Sequence, residues 1–507
     1  MSEWSEGYVT EVEYTIGFFA ELAPELLRFA MLSQGLDAPR GPISYLELGA
    51  GHGLTSNIIA AVNPDVDVVA VDFNPTHITR AKALADKAGT KNVKFLERSF
   101  QDLARDDSLQ SFDIIALHGV YSWVSEANRG YIRDIIRRNL KPGGIVYVSY
   151  NAYPGWSSGS TLQRVLRDGG ALGGGSVQQQ VSRGIGLLNR LKELNAGFFA
   201  STPGADARLE DMKKHPISYL AHEYMNSDWD AFFFSDVAKA LGESKVVYGT
   251  QANLAGQTDL LNFTQEQREL LGSVPDPIFR EMTRDIILNT SFRRDIYVRG
   301  ANQLSKQVQK DIWNNQRFVL LQAPADVPRK IGSRVGEVTL QAEVYDPVLA
   351  ALAKGPQTLA DLMKDEGVAR ISWERAAEAL HFLAMLGVVH LALPAEGDAD
   401  RAVRAKAVNT AILERVEAGD DIQALASPVT GSGVGIDNLS QLFVLAHWKG
   451  AEDKVVFVRQ ILKDRGHNVM KDGVVVEDEE LALTCLRDAE KGFNERTMKV
   501  LQRTGIL

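Results

Sequence analysis

The chain has 507 residues, 45% apolar and 24% charged. That is ordinary globular composition and, at roughly 100–200 residues per domain, about three or four domains. The net charge of -10 lacks the basic footprint of a general nucleic-acid binder. The single cysteine, Cys485, excludes a disulfide framework, a CxxC redox pair and a cysteine-rich zinc site.

No apolar run of about 18 residues predicts a membrane span. The opening MSEWSEGYVTEVEY has neither the basic nor the apolar region of a signal peptide, so a cytoplasmic protein is expected. A helix is expected around FFAELAPELLRFAML, behind a segment rich in glutamate. From residue 43 a strand-then-helix rhythm sets in: ISYLELGA then TSNIIAAV, VDVVAVD then THITRAKALADKAG. VKFLERS, FDIIALHG and GIVYVSYNAY are three more strands, the last preceded by the helix YIRDIIRRNL and its breaker Lys141-Pro142-Gly143-Gly144. Strands alternating with helices predict an α/β fold, a doubly wound, Rossmann-like parallel sheet.

Asp168 to Ser176 (DGGALGGGS) reads as a flexible loop, followed by helices at 177–194 and 235–242. KVVYGT (245–250) and RDIYVR (294–299) are expected to add an antiparallel pair to the sheet. RFVLL and GEVTLQ read as a strand pair. Three helix candidates and the strand VVHLAL then predict a winged-helix module at 345–395. The tail from 400 is mainly helical, interrupted by the turn-rich SPVTGSG (427–433). The expected organisation is an N-terminal segment and ligand-binding core at 1–155, a cleft region at 156–300 supplying the last two sheet strands, a winged-helix-like domain at 301–395 and a helical domain at 396–507.

The strongest local signal is Glu47-Leu48-Gly49-Ala50-Gly51-His52-Gly53, where the first strand turns into the first helix. Alternating glycines let backbone pass close to a ligand. Asp72 ends the second strand, where an acid can accept hydrogen bonds from ribose hydroxyls. A Walker A loop needs GxxxxGK[ST], and a dinucleotide loop needs GxGxxG; the spacing here is GxGxG. It fits an S-adenosylmethionine site better, because that cofactor has no pyrophosphate for the helix to hold.

With ELGAGHG, VDFNP, FDIIALHG and LKPGG in this order, residues 43–150 resemble a class I S-adenosylmethionine-dependent methyltransferase. The resemblance implies that Gly49, Gly51 and Gly53 line the methionine and ribose end, that Glu47 acts near the cofactor amine, that Asp72 holds the ribose diol and that Phe73 packs on adenine. In VKFLERSFQDL the slot that often holds an acid has Ser99, followed by Phe100. SYNAYPGW, HEYMNSDWDAFFFSDVAKAL, SFRRDIYVRG, SPVTGSG and an N-terminal segment with Tyr8 and Tyr14 are similar to bacterial methyltransferases with a methyltransferase regulatory domain. Relatives there include lysine methyltransferases acting on outer-membrane proteins. That adds Tyr14 to the implied cofactor contacts and a lysine-bearing protein as partner, with no nucleic acid or membrane, and a homodimer left open.

Acceptor identity is expected from the loops after strands four and five. They read His118-Gly119-Val120-Tyr121-Ser122-Trp123 and Tyr150-Asn151-Ala152-Tyr153-Pro154-Gly155-Trp156. Aromatic faces attract cations, which suits an amine. The candidate catalytic set is His118, Tyr121, Trp123, Asn151, Tyr153 and Trp156, with His118 also beside the cofactor and the first choice for proton acceptor. No metal is expected: His222-Glu223 in HEYMN lacks the second histidine of HExxH, so a structural role is expected for the pair. Arg293 and Arg294 could pair with a carboxylate, with a solvated basic face as the default expectation. Three readings stay open: a protein-lysine N-methyltransferase, a small-molecule N- or O-methyltransferase, and a non-catalytic cofactor sensor. The third winged-helix segment, SWERAAEALHFLAML, carries Glu374 and Glu378 against one arginine, unlike a DNA-recognition helix.

Overall fold

A run such as VDVVAVD, apolar almost throughout, forms a strand covered on both faces, and this chain buries four such runs side by side, with the more exposed VKFLE at the edge. The computed structural model describes residues 7–9, 16–471 and 473–507; Tyr14 lies outside them. Strands β1 (Ile43–Leu48), β2 (Val66–Asp72), β3 (Val93–Glu97), β4 (Phe112–Leu117) and β5 (Leu140–Asn151) pair in parallel. β6 (Val247–Gln251) and β7 (Phe292–Val298) complete the sheet in the order β3-β2-β1-β4-β5-β7-β6, with β7 antiparallel to both neighbours. Strand order reverses between β1 and β4. The loops leaving those two strands part in opposite directions there, opening the crevice in which such sheets bind ligands.

Helices α1 (Pro24–Ser33), α2 (Leu54–Val62), α3 (Pro75–Ala88), α4 (Phe100–Arg105) and α5 (Glu126–Asn139) belong to this core. α3 shows how local chemistry sets the ends. The Asn74 side chain accepts from the Thr76 N–H, Pro75 occupies the first turn, and left-handed Gly89 stops the helix, all as helix ends prefer. All nine residues of α2 are buried. A helix apolar all round needs cover on every side. Ile59 and Ala60 face the sheet, while Leu54, Ile58, Ala61 and Val62 join the core of the C-terminal helix Asp398–Ala418 and its neighbours.

After β5, helical turns run on from Gly159 through residue 171, so the expected flexible loop shrinks to residues 172–176. Leu166 of these turns is buried against Val181 and Leu188 of the following helix Val177–Glu193, and that contact draws Asp168-Gly169-Gly170 into helix. Helices Ala205–Met212 and Ile217–Tyr224 complete this small bundle.

Two further expectations are corrected. Arg293 is 1% exposed, paired with Asp285 at 2.8 Å, Asp295 at 2.9 Å and Glu281 at 3.1 Å; Arg294 pairs with Glu21 at 2.7 Å. Arg293 is off the solvated face because β7 is interior to the sheet and the helix Pro277–Leu288 supplies Asp285 and Glu281; Arg294, on the opposite face, stays partly exposed beside Glu21. RFVLL and GEVTLQ do not pair with each other. The strand Arg317–Leu320, with Phe318, Val319 and Leu320 fully buried, lies between Gln357–Thr358 and Val389–Ala392. The more exposed Gly336–Thr339 pairs back on Lys330–Ser333 as a hairpin. With helices Ala342–Leu352, Leu359–Leu362 and Trp373–Met385, the three-stranded sheet makes a winged-helix-like unit. The turn-rich 427–433 stretch is the bend of a hairpin joining Ala424–Ser427 to Ser432–Gly435. Among the described residues, no helix is long and apolar enough to cross a membrane.

Candidate functional site

A cavity of about 480 Å³ opens at the C-terminal ends of β1, β2, β4 and β5 and runs under the helices Ala205–Met212 and Ile217–Tyr224. Its inner half is made by the glycine loop. The Gly49 and Ala50 N–H groups donate to the Val71 carbonyl at 2.8 and 3.0 Å. Gly49 has φ +74°, and a Cβ there would lie 2.5 Å from Val120 Cγ2. Asp72 joins the loops: Oδ2 accepts from the Gly51 N–H at 2.8 Å, Oδ1 from the Asn74 N–H at 2.9 Å, and His77 Nδ1 lies 3.2 Å from Oδ1. Gly53, expected on the ligand, is not on the wall. A Cβ there would meet Ala81 at 2.5 Å and Phe95 at 2.7 Å, so this glycine lets α2 start tight against α3 and β3.

Glu47 is 4% exposed and accepts a hydrogen bond from Ser56. Burial pushes its carboxyl up to about 7, with Asp72 adding to the rise and Ser56 opposing it. A cation placed beside it would ionise it. Phe73, Ser99 and Phe100 line the same half. The Ser99 hydroxyl is engaged at the start of α4, accepting from the Asp102 N–H at 3.1 Å.

His118 lies where the two halves meet. Its Nδ1 is 2.8 Å from the Tyr147 hydroxyl, and its ring stacks on Phe19 at 4.0 Å between centroids. Burial lowers its pKa to about 4. The imidazole is therefore neutral near pH 7 and a weaker proton acceptor than expected. Asn151, 2% exposed, also lines the cavity, and its Nδ2 finds no acceptor among the described residues. A buried amide without a partner is costly unless a ligand or water completes it.

Trp123 and Trp156 are on the wall; Tyr121 and Tyr153 are not. Residues 121–123 form one 3₁₀ turn, which sends Tyr121 away from Trp123 and into the core beside Tyr150 of β5. There it packs 5.5 Å from Phe232. Tyr153 is held by its N–H to the Phe232 carbonyl at 2.9 Å, and its ring lies 5.2 Å from Phe233.

The outer half comes from residues that sequence reading did not single out as functional, or took as structural. Arg208 sits 4.0 Å over the Trp156 ring. Tyr219 and Glu223, four apart on one helix, both line the cavity, while Leu220, Ala221 and Tyr224 of that helix are buried. Spacing by four on one helix face was the available signal, but only the fold shows what that face meets. The Trp123 indole N–H donates to the Glu223 carbonyl at 3.3 Å, tying this helix to the turn after β4. Burial pushes the Glu223 carboxyl up to about 7 against the pull of Arg208, and raises Tyr219 to about 12. From the N-terminal segment, Tyr8 approaches Phe73 edge-on at 5.8 Å and His222 at 5.6 Å. His222 and Glu223 thus line this cavity. Among the described residues, no group of three or more His, Cys, Asp or Glu side chains could hold a metal ion.

Comparison with known proteins gives the following. Residues 41–179 match a methyltransferase domain family and residues 216–299 a predicted methyltransferase regulatory domain. An uncharacterized protein of Synechocystis sp. is 37% identical over 508 residues, spanning 99% of both chains. An uncharacterized protein of Rickettsia prowazekii is 28% identical over 310 residues, 59% of this chain and 54% of that one. The solved structure of PKMT2 from Rickettsia typhi in complex with AdoHcy shares the fold, with a TM-score of 0.71, 18% identity, and coverage of 96% of this chain and 99% of that one.

Proposed function

The chain belongs to the class I S-adenosylmethionine-dependent methyltransferases that carry a methyltransferase regulatory domain, and on that premise we propose that it methylates the ε-amine of a lysine in a protein substrate. The residues present fit the cofactor. Gly49 and Gly51 would let backbone approach its methionine and ribose portion, Asp72 would accept from the ribose hydroxyls, and Phe73 and Phe100 would flank the adenine. Glu47, protonated about half the time near pH 7, would ionise against the cofactor's α-amine. When bound, the cofactor supplies a methyl group made electrophilic by its sulfonium.

The observation that carries the lysine reading is the outer half of the cavity. Trp123 offers an aromatic ring, Trp156 and Tyr219 add rings that already stack with Arg208 and His215, and Asn151 with its unpaired amide and Glu223 line the same cavity, continuous with the cofactor end. Aromatic faces hold ammonium groups, by about 0.5–2 kcal/mol each. Only about one lysine in a thousand is neutral near pH 7.4, a cost of roughly 4 kcal/mol, and burial among rings lowers that cost. Moving the proton from an ordinary lysine to His118 would be uphill by about 9 kcal/mol, so His118 is assigned to orientation: its neutral ring, backed by Tyr147 and Phe19, shapes the wall beside the reacting centre. A lysine-bearing outer-membrane protein before its export is the acceptor the family resemblance favours, which would place the reaction in the cytoplasm.

The test is transfer from labelled S-adenosylmethionine into a bacterial lysate, separated into protein, nucleic-acid and small-molecule fractions. Label on lysine in a few protein bands is expected. Label confined to small molecules would replace this reading with a small-molecule methyltransferase. Cofactor binding without any transfer would favour a sensor. Asp72→Ala is expected to abolish S-adenosylhomocysteine binding; normal binding by that variant would refute the cofactor placement.

A further inference from the structure

We propose that Glu223 is the proton acceptor for the substrate amine, placed in the cavity by the regulatory region rather than by the methyltransferase core. This rests on the lysine-acceptor reading above. Glu223 lines the cavity, and among the described residues its carboxyl holds no hydrogen bond or ion pair of its own. Every other carboxyl at the inner end is engaged: Asp72 by two backbone N–H groups and Glu47 by Ser56. Its backbone carbonyl is bound by Trp123 at 3.3 Å, so the helix Ile217–Tyr224 is fastened to the turn leaving β4. That turn follows His118 and Gly119, which line the cofactor end. The groups facing it are the Arg208 guanidinium from the preceding helix and the Tyr219 and Tyr224 phenols of its own. His215 and Asp211 are further along the same wall.

The step is a simple proton transfer. An N–H bond of the lysine ammonium breaks, its electron pair stays on nitrogen, and an O–H bond forms on Glu223. The neutral amine is then the nucleophile, and the proton leaves Glu223 for water at the cavity mouth. With its carboxyl near 7 and His118 near 4, Glu223 holds a proton about a thousandfold better than His118. Arg208 over Trp156 keeps enough positive charge nearby for Glu223 to be partly ionised before substrate arrives.

The experiment compares the full chain with its Glu223→Gln and Glu223→Asp variants. Labelled S-adenosylmethionine serves as donor and unfractionated bacterial lysate proteins as acceptor. Glu223→Gln is expected to bind S-adenosylhomocysteine within about twofold of wild type by calorimetry, yet to lose transfer at pH 7 by about 100-fold. Wild-type transfer should rise with pH and level off near 7, whereas Glu223→Gln should keep rising through pH 9 because only pre-neutralised lysine reacts. Glu223→Asp should recover part of the loss. A readout without cofactor or substrate is the infrared carboxyl band: Glu47 and Glu223 should both titrate near pH 7 in wild type, and the Glu223 share of that band should vanish in Glu223→Gln while the Glu47 share stays. Unchanged transfer in Glu223→Gln, loss of S-adenosylhomocysteine binding, or no Glu223 share in that band would each overturn the assignment. Wild-type label found only on small molecules would instead refute the lysine reading, and this assignment with it.

Discussion

Glu47 is a buried carboxyl whose ionisation works against the fold. Its carboxyl is raised to about 7 by burial, above the roughly 4.3 of an exposed glutamate. The folded state therefore binds the proton more tightly than the unfolded state. Stability is greatest below about pH 4 and falls as pH rises through 7, by about 3–4 kcal/mol from this group alone. Glu47→Gln, which keeps a partner for Ser56, is expected to be more stable than wild type at pH 8 by up to that amount and near wild type at pH 4, in denaturant unfolding. It should bind S-adenosylmethionine more weakly, because the carboxylate that would meet the amine is gone. The glycines divide in the same way. A Cβ at Gly51 would meet nothing within 4 Å, whereas one at Gly49 collides with Val120. Both residues are left-handed, so alanine strains each. Gly49→Ala should cost at least about 1 kcal/mol more than Gly51→Ala, and urea midpoints would show it.

Among the elements, β7 depends most on a few charges. It runs antiparallel between β5 and β6 and brings Arg293 into a buried cluster with Asp285, Asp295 and Glu281, with Phe234 4.2 Å below its guanidinium. Tyr150 of β5 donates to Asp295 at 2.7 Å, so the cluster fastens the antiparallel addition to the parallel sheet. Removing one partner leaves uncompensated charge, typically costing 3–5 kcal/mol. Arg293→Ala should lower stability by about that much in thermal unfolding. Loss under about 1 kcal/mol would mean the cluster contributes little. The helix Ile217–Tyr224 depends less on charge: Leu220, Ala221 and Tyr224 seat it on the bundle, while Tyr219, His222, Glu223 and part of Tyr224 line the cavity.

At the scale of the whole molecule, the C-terminal region acts as a second wall for the core. The helix Asp398–Ala418 lies on α2 and α3, and Asn63 at the end of α2 donates to the Gly431 carbonyl in the hairpin bend at 2.8 Å. Phe18 fits where Gly433 leaves no room for a Cβ, 2.7 Å from its ring. Its neighbour Phe19 stacks on His118 and donates its N–H to Thr55 at 3.1 Å. The hairpin thus braces residues 17–19, of which Gly17 and Phe19 line the cavity. A chain ending at residue 396 would expose Leu54, Ile58, Ala61, Val62 and Leu84 and is expected to sediment as aggregate. The full chain should lose its core and C-terminal helices in one calorimetric transition. A soluble truncated chain with undiminished S-adenosylhomocysteine affinity would show that the core does not need this cover.

By itself, the sequence determined the alternating sheet, the glycine turn with its acid one strand later, and the antiparallel strands at the edge. Period, turn chemistry and short-range spacing carry those features, and each acts within a few residues. Only the tertiary structure decided which side chains share the cavity. Tyr121 and Trp123 part because one tight turn sends them to opposite sides. Gly53 serves packing because α3 and β3 press against it. Arg293 is interior because an inserted helix covers it with acids. Glu223 reaches the site from 100 residues beyond Trp123 in the turn after β4. Nothing local distinguishes it from any other helical glutamate; its burial and its neighbours, supplied by distant parts of the chain, give it its chemistry.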